Sequence, residues 1–376
     1  MGVTRSEVCA SASRKIAASK VKEIRAVVGL DGFVDEIIEV VDKRRNAESY
    51  DRVQTIGQLA KKIAGAAGES SNYELITVQQ KLGGNGPIMA NALAAIGLQV
   101  TYIGGVGYPA IHPVFHELSA RAEVISIADA CHTDALEFQD GKLMLGKLMA
   151  TNDVNWPNII QRVGAERLNR LLGSAQLLGM VNWTMLPHMN EIWSRLLSDV
   201  LTHLPQGPRY FFVDLADPEK RTMDDLRAAL AMLQQFQGHL DVILGLNLKE
   251  SGQVTQALGL PAAANPEAAI EETAGAIREK LKIGTVVVHP RRGAAAATAT
   301  ESARFEGPFV ESPKISTGAG DHFNAGFVSG RLLGLNLAES LCMGTGTSGY
   351  YVRTAISPSA AQLAEFIKEL PPPQQQ

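Results

Sequence analysis

The sequence predicts an α/β fold in which buried parallel strands alternate with helices and a small β-rich lid is attached to the sheet. Short blocks rich in Val, Ile and Leu recur between longer amphipathic segments, and blocks that are apolar on both faces are typical of strands covered by helices on both sides. Six such blocks occur: Ala26–Leu30, Val100–Ile103, Leu177–Val181, Tyr210–Leu215, Val242–Leu246 and Thr285–Val288. One domain with a lid is therefore preferred over two equal domains.

The domain boundaries follow from the two ends of the chain and from two breaks in the strand–helix rhythm. Residues 1–25 predict a solvated helical extension, residues 26–370 the main domain, and residues 371–376 a disordered tail, because three prolines and three glutamines have almost nothing to bury. The rhythm breaks near 33–82 and 128–150, and an alternating pattern in the second region predicts a hairpin. These two regions are expected to form the lid.

A helix is predicted directly after the first lid region. Pro87 suits a first helical turn, and Met89 and Leu93 lie on one apolar stripe. Gly97 suits the position just past a helix end. The pattern therefore predicts a crossover helix of 12 residues that begins at Asn85.

The composition is that of an ordinary globular protein and restricts the partners. The 376 residues are 45% hydrophobic and 20% charged, which places the chain outside the disordered class. Lys and Arg number 35 against 39 Asp and Glu, so the formal charge of −4 (35 − 39) gives no reason to expect nucleic acid or an anionic membrane as a partner. No apolar run approaches the roughly 18 residues of a membrane span. A small molecule is the expected ligand.

The cysteines and the N-terminal segment favour a cytoplasmic protein. Cys9, Cys131 and Cys342 are widely separated and have no CxxC spacing, which argues against a disulfide framework and a thiolate zinc site. Residues 1–25 carry several cations, but acidic residues interrupt them and no apolar stretch follows. A solvated helix is therefore preferred over a targeting segment.

A glycine-rich turn near the C-terminus is the most informative motif. Gly318, Ala319 and Gly320 lead into a predicted helix, and amide groups at such a helix start form an anion site beside the positive end of the helix dipole. Asp321 follows at once. Its carboxylate is either an N-terminal cap or a general base beside a reacting phosphate, and both interpretations remain open at this point.

Two further motifs lie where ligands bind in open α/β sheets. Asn247 and Glu250 follow a predicted strand, where together they suit a hydrated Mg²⁺, although the same spacing is that of a helix capping box. Gly83 and Gly84 allow a ligand to approach the backbone, but a glycine pair alone is a weak signal.

Taken in order, these motifs resemble those of the ribokinase-like (PfkB) family of carbohydrate and nucleoside kinases, over roughly residues 27–368. The matching segments are the signature at 318–321, the glycine pair with its helix to Gly97, the glycines at 104–107, the Asn-x-x-Glu at 247–250 and the Asp-Pro-x-x-Arg at 217–221. The resemblance implies a three-layer, Rossmann-like (ribokinase-like) sandwich and the use of ATP and Mg²⁺.

The resemblance also implies roles for the motif residues. Asp321 is expected to take the proton of the substrate hydroxyl, beside an anion hole of the amides of residues 318–320, and Asn247 and Glu250 are expected to position Mg²⁺ and the phosphates. Gly293 and Thr317 are expected on the nucleotide side. The expected acceptor-side residues are Asp31, Asp35, Gly83, Gly84 and Asn85.

This sequence departs from the family pattern at several positions. Ile315 stands six residues before Asp321, where many members carry an Asp associated with a monovalent cation, so activity is expected to respond only weakly to K⁺ over Na⁺. The family's Gly-x-x-Gly becomes Pro290-Arg-Arg-Gly293, whose arginines are expected to face solvent. His322 is expected on a helix surface.

Alternatives to a sugar kinase remain. The pattern Gly29–Asp35 also resembles nucleoside-phosphorylating members, and a catalytically silent sugar-binding protein has the same fold. The literal GxGxxG at 344–349 follows a predicted helix instead of a strand, which argues against a dinucleotide site. The expected partner is a sugar or nucleoside, and the lid is the expected surface of a homodimer.

Overall fold

The computed structural model describes residues 3–205 and 207–374. Within them the strands are β1 (Arg25–Leu30), β2 (Phe33–Arg44), β3 (Tyr50–Arg52), β4 (Leu75–Gly83), β5 (Gln99–Gly104), β6 (Glu123–Ser126), β7 (Cys131–Phe138), β8 (Gly141–Lys147), β9 (Leu177–Val181), β10 (Tyr210–Asp214), β11 (Asp241–Leu246), β12 (Thr285–Val288), β13 (Gly293–Ala297) and β14 (Ser302–Glu306).

The α-helices occupy both faces of the main sheet. They are α1 (Arg5–Ala17), α2 (Ile56–Gly65), α3 (Asn85–Ile96), α4 (His116–Ser119), α5 (Trp156–Val163), α6 (Ala165–Ser174), α7 (Met189–Arg195), α8 (Met223–Phe236), α9 (Leu248–Ala257), α10 (Ile270–Leu281), α11 (Ala319–Leu332), α12 (Leu337–Thr354) and α13 (Ala360–Lys368). In the described residues no helix combines the length and the hydropathy that a membrane crossing requires.

The main sheet has nine strands in the order β14-β13-β12-β11-β10-β9-β1-β5-β6. All pairs from β12 to β6 are parallel, whereas β13 and β14 form an antiparallel edge. Two separate apolar cores lie on opposite faces of this sheet, one around Trp193 and Phe211 and one around Leu93 and Phe327. The six predicted strands are confirmed to within one residue at each end, and the predicted helix from Asn85 is α3.

A second, smaller sheet fits the predicted lid. It contains β3, β2, β7 and β8 in that order, and β4 pairs with the part of β2 that β3 leaves free. Its own small core includes Ile38, Val40 and Leu136. The predicted β7–β8 hairpin is confirmed; its turn is Gln139 and Asp140, and Gly141 begins β8 opposite Phe138.

The N-terminal helix α1 is solvated on one face only. Its other face buries Ala12 and Ile16 against α12 and α13, because the helix has an apolar stripe. The Arg5 Nη2 atom donates to the Pro371 carbonyl at 2.7 Å. Of the predicted disordered tail, residues 371–374 are neither helix nor strand, and residues 375–376 lie outside the described part of the chain.

Candidate active site

Polar side chains converge where the central strands end. Because β1, β10, β11 and β12 are parallel, the residues that follow them meet at one edge of the sheet, together with the starts of α3 and α11. They surround an open cavity of about 670 Å³. Its lining residues are Asn85, Asp214, Ala216, Asn247, Glu250, His289, Gly320 and Asp321.

Asp321 lies in the first turn of α11 with only 6% of its surface exposed. Its Oδ1 atom accepts a hydrogen bond from Asn85 Nδ2 at 3.0 Å. Burial raises the pKa of the carboxyl to about 7, and the negative charge of Asp31 acts in the same direction. The N-cap of α11 is Gly318, so the alternative in which Asp321 is the cap is wrong. A carboxyl that titrates near neutrality suits acid–base chemistry.

The glycine-rich turn presents free amide groups at the start of α11. Gly318 has φ of +84°, a left-handed conformation that favours glycine. The Ala319 amide donates to the Ser316 carbonyl at 3.2 Å, so this member of the predicted anion hole is already engaged. For the amides of Gly318 and Gly320, the described residues supply no acceptor. Thr317 is exposed.

Asp31 is a buried carboxyl that caps α3. It accepts hydrogen bonds from the amides of Asn85 at 3.0 Å and Gly86 at 2.8 Å, and from Asn182 Nδ2 at 2.7 Å. Burial raises the pKa of Asp31 to about 6, although the three hydrogen bonds act to lower it. The predicted contact of Asp31 with a substrate stays a prediction.

Asn85 links the two buried carboxyls. Its main-chain amide donates to Asp31, and its side chain donates to Asp321. The orientation of Asp321 therefore depends on how α3 begins. Sequence reasoning placed Asn85 on the acceptor side, and the structure gives it this additional contact.

Asp35 lies on β2, at the base of the lid. The adjacent Gly83 leaves room for it, because a Cβ atom there would come within 2.6 Å of Asp35 Oδ1. Burial raises the pKa of Asp35, whereas the Thr133 hydroxyl and the charges of Lys142 and Lys81 lower it. Its carboxylate thus faces cations and a hydroxyl at the lid boundary.

Asn247 and Glu250 form the capping box of α9. Asn247 Oδ1 accepts from the Glu250 amide and Glu250 Oε2 accepts from the Asn247 amide, both at 2.9 Å. Glu250 Oε1 also accepts from the Asp217 amide at 3.0 Å. The capping interpretation is confirmed, and both residues still line the cavity.

Asp214 is a site residue that the sequence analysis missed. It ends β10, accepts from the Ala216 amide at 2.9 Å and from Asn324 Nδ2 at 2.7 Å, and is buried. Burial raises its pKa to about 7, and the nearby charge of Asp321 contributes. The signal that could have identified it is an acidic residue at the carboxyl end of an apolar strand.

The cavity and its surroundings have an excess of buried carboxyl groups over cations. Burial raises the pKa of Glu250 to about 8, and the charge of Asp214 raises it further. Among the groups that shift the pKa values of Asp31, Asp214, Glu250 and Asp321 there is no lysine or arginine. Carboxylate oxygens without a protein cation suit a hard divalent cation. The described residues contain no cluster of three or more ligands, so such an ion would keep waters or substrate oxygens as ligands.

His289, which follows β12, was also missed. Its ring stacks on Phe323 at 4.6 Å between centroids and lies over Gly320, where a Cβ atom would be 3.5 Å from His289 Cε1. Its Nε2 atom is buried and has no hydrogen-bond partner among the described residues. Burial lowers its pKa to about 4, so the ring is neutral at pH 7.

His322 is buried, and its expected position on a helix surface is wrong. Its Nδ1 atom lies 2.7 Å from the Gly318 carbonyl, its Nε2 atom lies 2.9 Å from Ser357 Oγ, and its ring stacks on Tyr351. Burial lowers its pKa to about 4, so it adds no positive charge beside Asp321 at pH 7.

A larger cleft of about 2010 Å³ adjoins the cavity and shares Asn247, His289 and Gly320 with it. Arg291 and Arg292 at its rim are exposed, and Gly293 begins the edge strand β13. The GxGxxG segment at 344–349 lies inside α12, so it has no strand-to-helix turn for a dinucleotide.

The chain is similar to known carbohydrate kinases. A family model described as prokaryotic ketohexokinase matches residues 3–370. A ketohexokinase from Haloferax volcanii is 28% identical over 362 residues, which cover 95% of this chain and 94% of that protein.

Solved structures of sugar kinases have the same fold. A carbohydrate kinase from Agrobacterium tumefaciens matches with a TM-score of 0.62 at 17% identity, over 93% of this chain and 98% of its own. Ribokinase from Cryptococcus neoformans in complex with ADP matches with a TM-score of 0.62 at 19% identity, over 91% of this chain and 99% of its own. The predicted ribokinase-like sandwich with a lid is confirmed.

Proposed function

Since the chain belongs to the prokaryotic ketohexokinase family and is a carbohydrate kinase, we propose that it transfers the γ-phosphoryl group of ATP to a hydroxyl of a ketohexose, with Asp321 as general base. The observation that carries this proposal is the placement of Asp321. A buried carboxyl with a pKa of about 7 lies one turn from free helix amides, in a cavity continuous with a large cleft.

Asp321 accepts the proton of the acceptor hydroxyl, and the hydroxyl oxygen then attacks the γ-phosphorus while ADP leaves. Asn85 holds the carboxylate through its side-chain amide at 3.0 Å. Phosphoryl transfer mainly requires positioning, charge stabilisation and one base, so a single oriented carboxylate is sufficient on the protein side.

The amides of Gly318 and Gly320 stabilise the negative charge of the transferring phosphoryl group, as backbone donors do at a helix start. The neutral His289 ring lies over Gly320, and its Nε2 atom is a further donor toward the same oxygens. Gly293 and Thr317 belong to the nucleotide side, where the large cleft has room for an adenosine moiety.

Asn247 and Glu250 would hold Mg²⁺ through water, with Asp214 beside them. Their oxygens already cap α9, so outer-sphere contact fits better than direct ligation. When bound, the ion supplies positive charge that offsets the phosphate oxygens and the buried carboxylates.

Asp35, Gly83, Gly84, Asn85 and Asp31 form the acceptor side. The Asp35 carboxylate offers only acceptors, which suits adjacent sugar hydroxyls, and Gly83 and Gly84 keep the backbone open beside it. Asp31 acts here through the amides of Asn85 and Gly86, which it holds in place.

The test is ADP release from ATP and Mg²⁺ with a panel of acceptors: D-fructose, D-tagatose, D-glucose, D-ribose and adenosine. We expect a ketohexose to have a kcat/KM at least about 10-fold above the others, because a site built for substrate hydroxyls rejects analogues that leave its polar groups unpaired. A preference for adenosine would favour the nucleoside-kinase alternative, and binding without ADP release would favour the silent one. The Asp321→Asn variant is the control for contaminating kinases.

We also propose a homodimer through the lid. Val78 on β4 and Leu145 on β8 are each 51% exposed, and β8 is an edge strand of the lid sheet. Apolar side chains on an open edge are typical of pairing surfaces. Light scattering should give twice the chain mass for the wild type and the chain mass for Leu145→Lys. A monomeric wild type at micromolar concentration would contradict the proposal.

A further inference from the structure

Two cysteines from opposite ends of the chain meet in the interior. Cys9 lies on α1 and Cys342 on α12, and their Sγ atoms are 3.7 Å apart. Cys9 is 5% exposed and Cys342 is fully buried. This contact could not be predicted from the sequence, because the two residues are 333 positions apart and have no motif spacing.

Neighbouring contacts hold the two sulfur atoms in register. Glu339, one turn before Cys342, accepts hydrogen bonds from Ser11 Oγ at 2.7 Å and from Lys15 Nζ at 2.6 Å. Both donors lie C-terminal to Cys9 on α1, so these contacts hold that part of α1 against α12. A disulfide bond is roughly 2.05 Å long, so the sulfur atoms need to approach by less than about 2 Å.

We propose that Cys9 and Cys342 form a dithiol modification site that a small peroxide oxidises to an intramolecular disulfide. The Cys9 thiolate attacks one oxygen of hydrogen peroxide, which gives a sulfenic acid and, after protonation, one water. The Cys342 sulfur then attacks the Cys9 sulfur as its proton passes to the departing hydroxide, which forms the S–S bond and releases the second water. Two thiols and one peroxide thus give one disulfide and two waters.

Cys9 is the attacking residue and Cys342 the resolving one. The Cys342 thiol donates its hydrogen bond to Cys9 Sγ, which stabilises the Cys9 thiolate. This bond, together with the guanidinium of Arg5, lowers the pKa of Cys9 to about 7 against the effect of burial. Cys9 is also the more accessible of the two, on a helix near the chain end.

The disulfide would connect α1 covalently to the helix that borders the large cleft. Thr345 and Gly349 of α12 line that cleft, and α1 holds the tail through the Arg5 contact with Pro371. Oxidation would therefore prevent α1 from detaching and would close a loop of 333 residues, which restricts the unfolded chain.

The third cysteine supplies a matched control. Cys131 is also buried, on the lid strand β7, and burial raises its pKa to about 11, so it should stay a thiol. Reduced full-length protein is treated with a small excess of hydrogen peroxide, denatured, and reacted with a maleimide before intact-mass measurement. The number of maleimide adducts on the wild type should fall from three to one, and the protein mass after subtraction of the adducts should be about 2 Da lower from the loss of two hydrogens.

Peptide mapping without reductant should recover a linked pair that contains Cys9 and Cys342. The Cys131→Ser variant should lose both of its thiols at the wild-type rate, and Cys9→Ser should form no internal link. The proposal would be overturned if Cys9 and Cys342 both stayed thiols in the peroxide-treated wild type, or if each were oxidised separately to a sulfinic acid. Because the wild-type map decides this, the test does not depend on whether Cys9→Ser folds.

Discussion

At the scale of single residues, the proposed role of Asp321 as a base depends on its burial and predicts both a loss of turnover on substitution and a pH dependence. Replacing it by Asn keeps the shape and an acceptor for Asn85 but removes the base. We expect Asp321→Asn to lower kcat by about 10² or more with ATP affinity near that of the wild type, since a general base is worth roughly 10²–10⁴. Steady-state ADP release and calorimetric titration with ATP measure the two quantities. Turnover within about 2-fold of the wild type would contradict the assigned role.

The same residue predicts a pH profile. Only the ionised form of Asp321 accepts a proton, and its pKa is raised to about 7. The kcat/KM for the sugar should therefore fall as the pH decreases through about 7 and should level off above it. If the acid limb instead had its midpoint near the ordinary carboxyl pKa of 3.8, Asp321 would not be the titrating base.

Asp35 and Asp31 should respond differently to substitution. Asp35 faces Lys81 and Thr133 at the lid boundary, so Asp35→Ala should raise the acceptor KM strongly and leave the ATP KM little changed. Asp31 caps α3 from a fully buried position, so Asp31→Ala should instead lower the free energy of unfolding by about 2 kcal/mol or more, because two buried amides lose their acceptor. Initial-rate kinetics and urea unfolding separate the outcomes. Equal effects of Asp35→Ala on both KM values would argue that Asp35 is structural.

At the scale of elements, α11 carries the anion turn and depends on close packing with α12. A Cβ atom on Gly326 would lie 2.7 Å from the Met343 carbonyl oxygen and 2.8 Å from Thr347 Cβ, so the two backbones need a glycine there. Gly326→Ala should reduce the free energy of unfolding by about 1–3 kcal/mol.

Gly275→Ala in α10 is the matched control. A Cβ atom there meets nothing within 4 Å, and alanine is the better helix former, so this variant should be stabilised by about 0.5–1 kcal/mol. Denaturant unfolding of both variants measures the difference. If Gly326→Ala were as stable as Gly275→Ala, the close approach of α11 and α12 would not be required.

Helix starts and the residues of the candidate active site coincide in this fold. Asn247 and Glu250 cap α9 and line the cavity, and Asp31 caps α3 at Asn85, which also lines it. For the Asn-x-x-Glu motif, the capping box and the ligand site appear as alternatives in the sequence. In the structure both follow from one geometry, because ligands of parallel sheets bind where strands end and helices begin.

At the scale of the whole molecule, buried carboxyls make the ligand-free protein sensitive to pH. The folded-state pKa values of Asp214 and Asp321 are about 7 and that of Glu250 is about 8, above their ordinary values of 3.8 and 4.5. The folded state therefore binds more protons than the unfolded state near neutral pH, and stability should fall as the pH rises from 6.5 to 8. The pKa values of His289 and His322 are lowered from 6.5 to about 4, so these two residues change the stability mainly below pH 6.5.

Urea unfolding with a chelator present, at fixed ionic strength, measures this dependence. Asp214→Asn should flatten it, because one buried carboxyl is removed, and millimolar Mg²⁺ should restore stability at pH 8, because a cation offsets the remaining charges. If the free energy of unfolding stayed constant or rose between pH 6.5 and 8, the pKa values of these carboxyls would not be raised in the folded protein.

The sequence alone determined the features that depend on local pattern. Apolar blocks located the six parallel strands, turn residues located the lid hairpin, and the glycine-rich turn located the start of α11, whose first turn carries Asp321. These succeed because the side-chain period of an element and the chemistry of a helix start are encoded within a few neighbouring residues. Alanine-rich β13 was not recognised as a strand, since its pairing with β12 and β14 is not visible in its own composition.

Only the tertiary structure decided which distant residues meet. It brought Asp214 and His289 to the cavity, buried His322, and placed Cys9 against Cys342. It also set the raised pKa values, which arise from burial and from the mutual charge of carboxyls on separate elements. Such contacts depend on the order in which strands and helices pack. That order is a property of the whole chain, and a local sequence pattern carries no record of it.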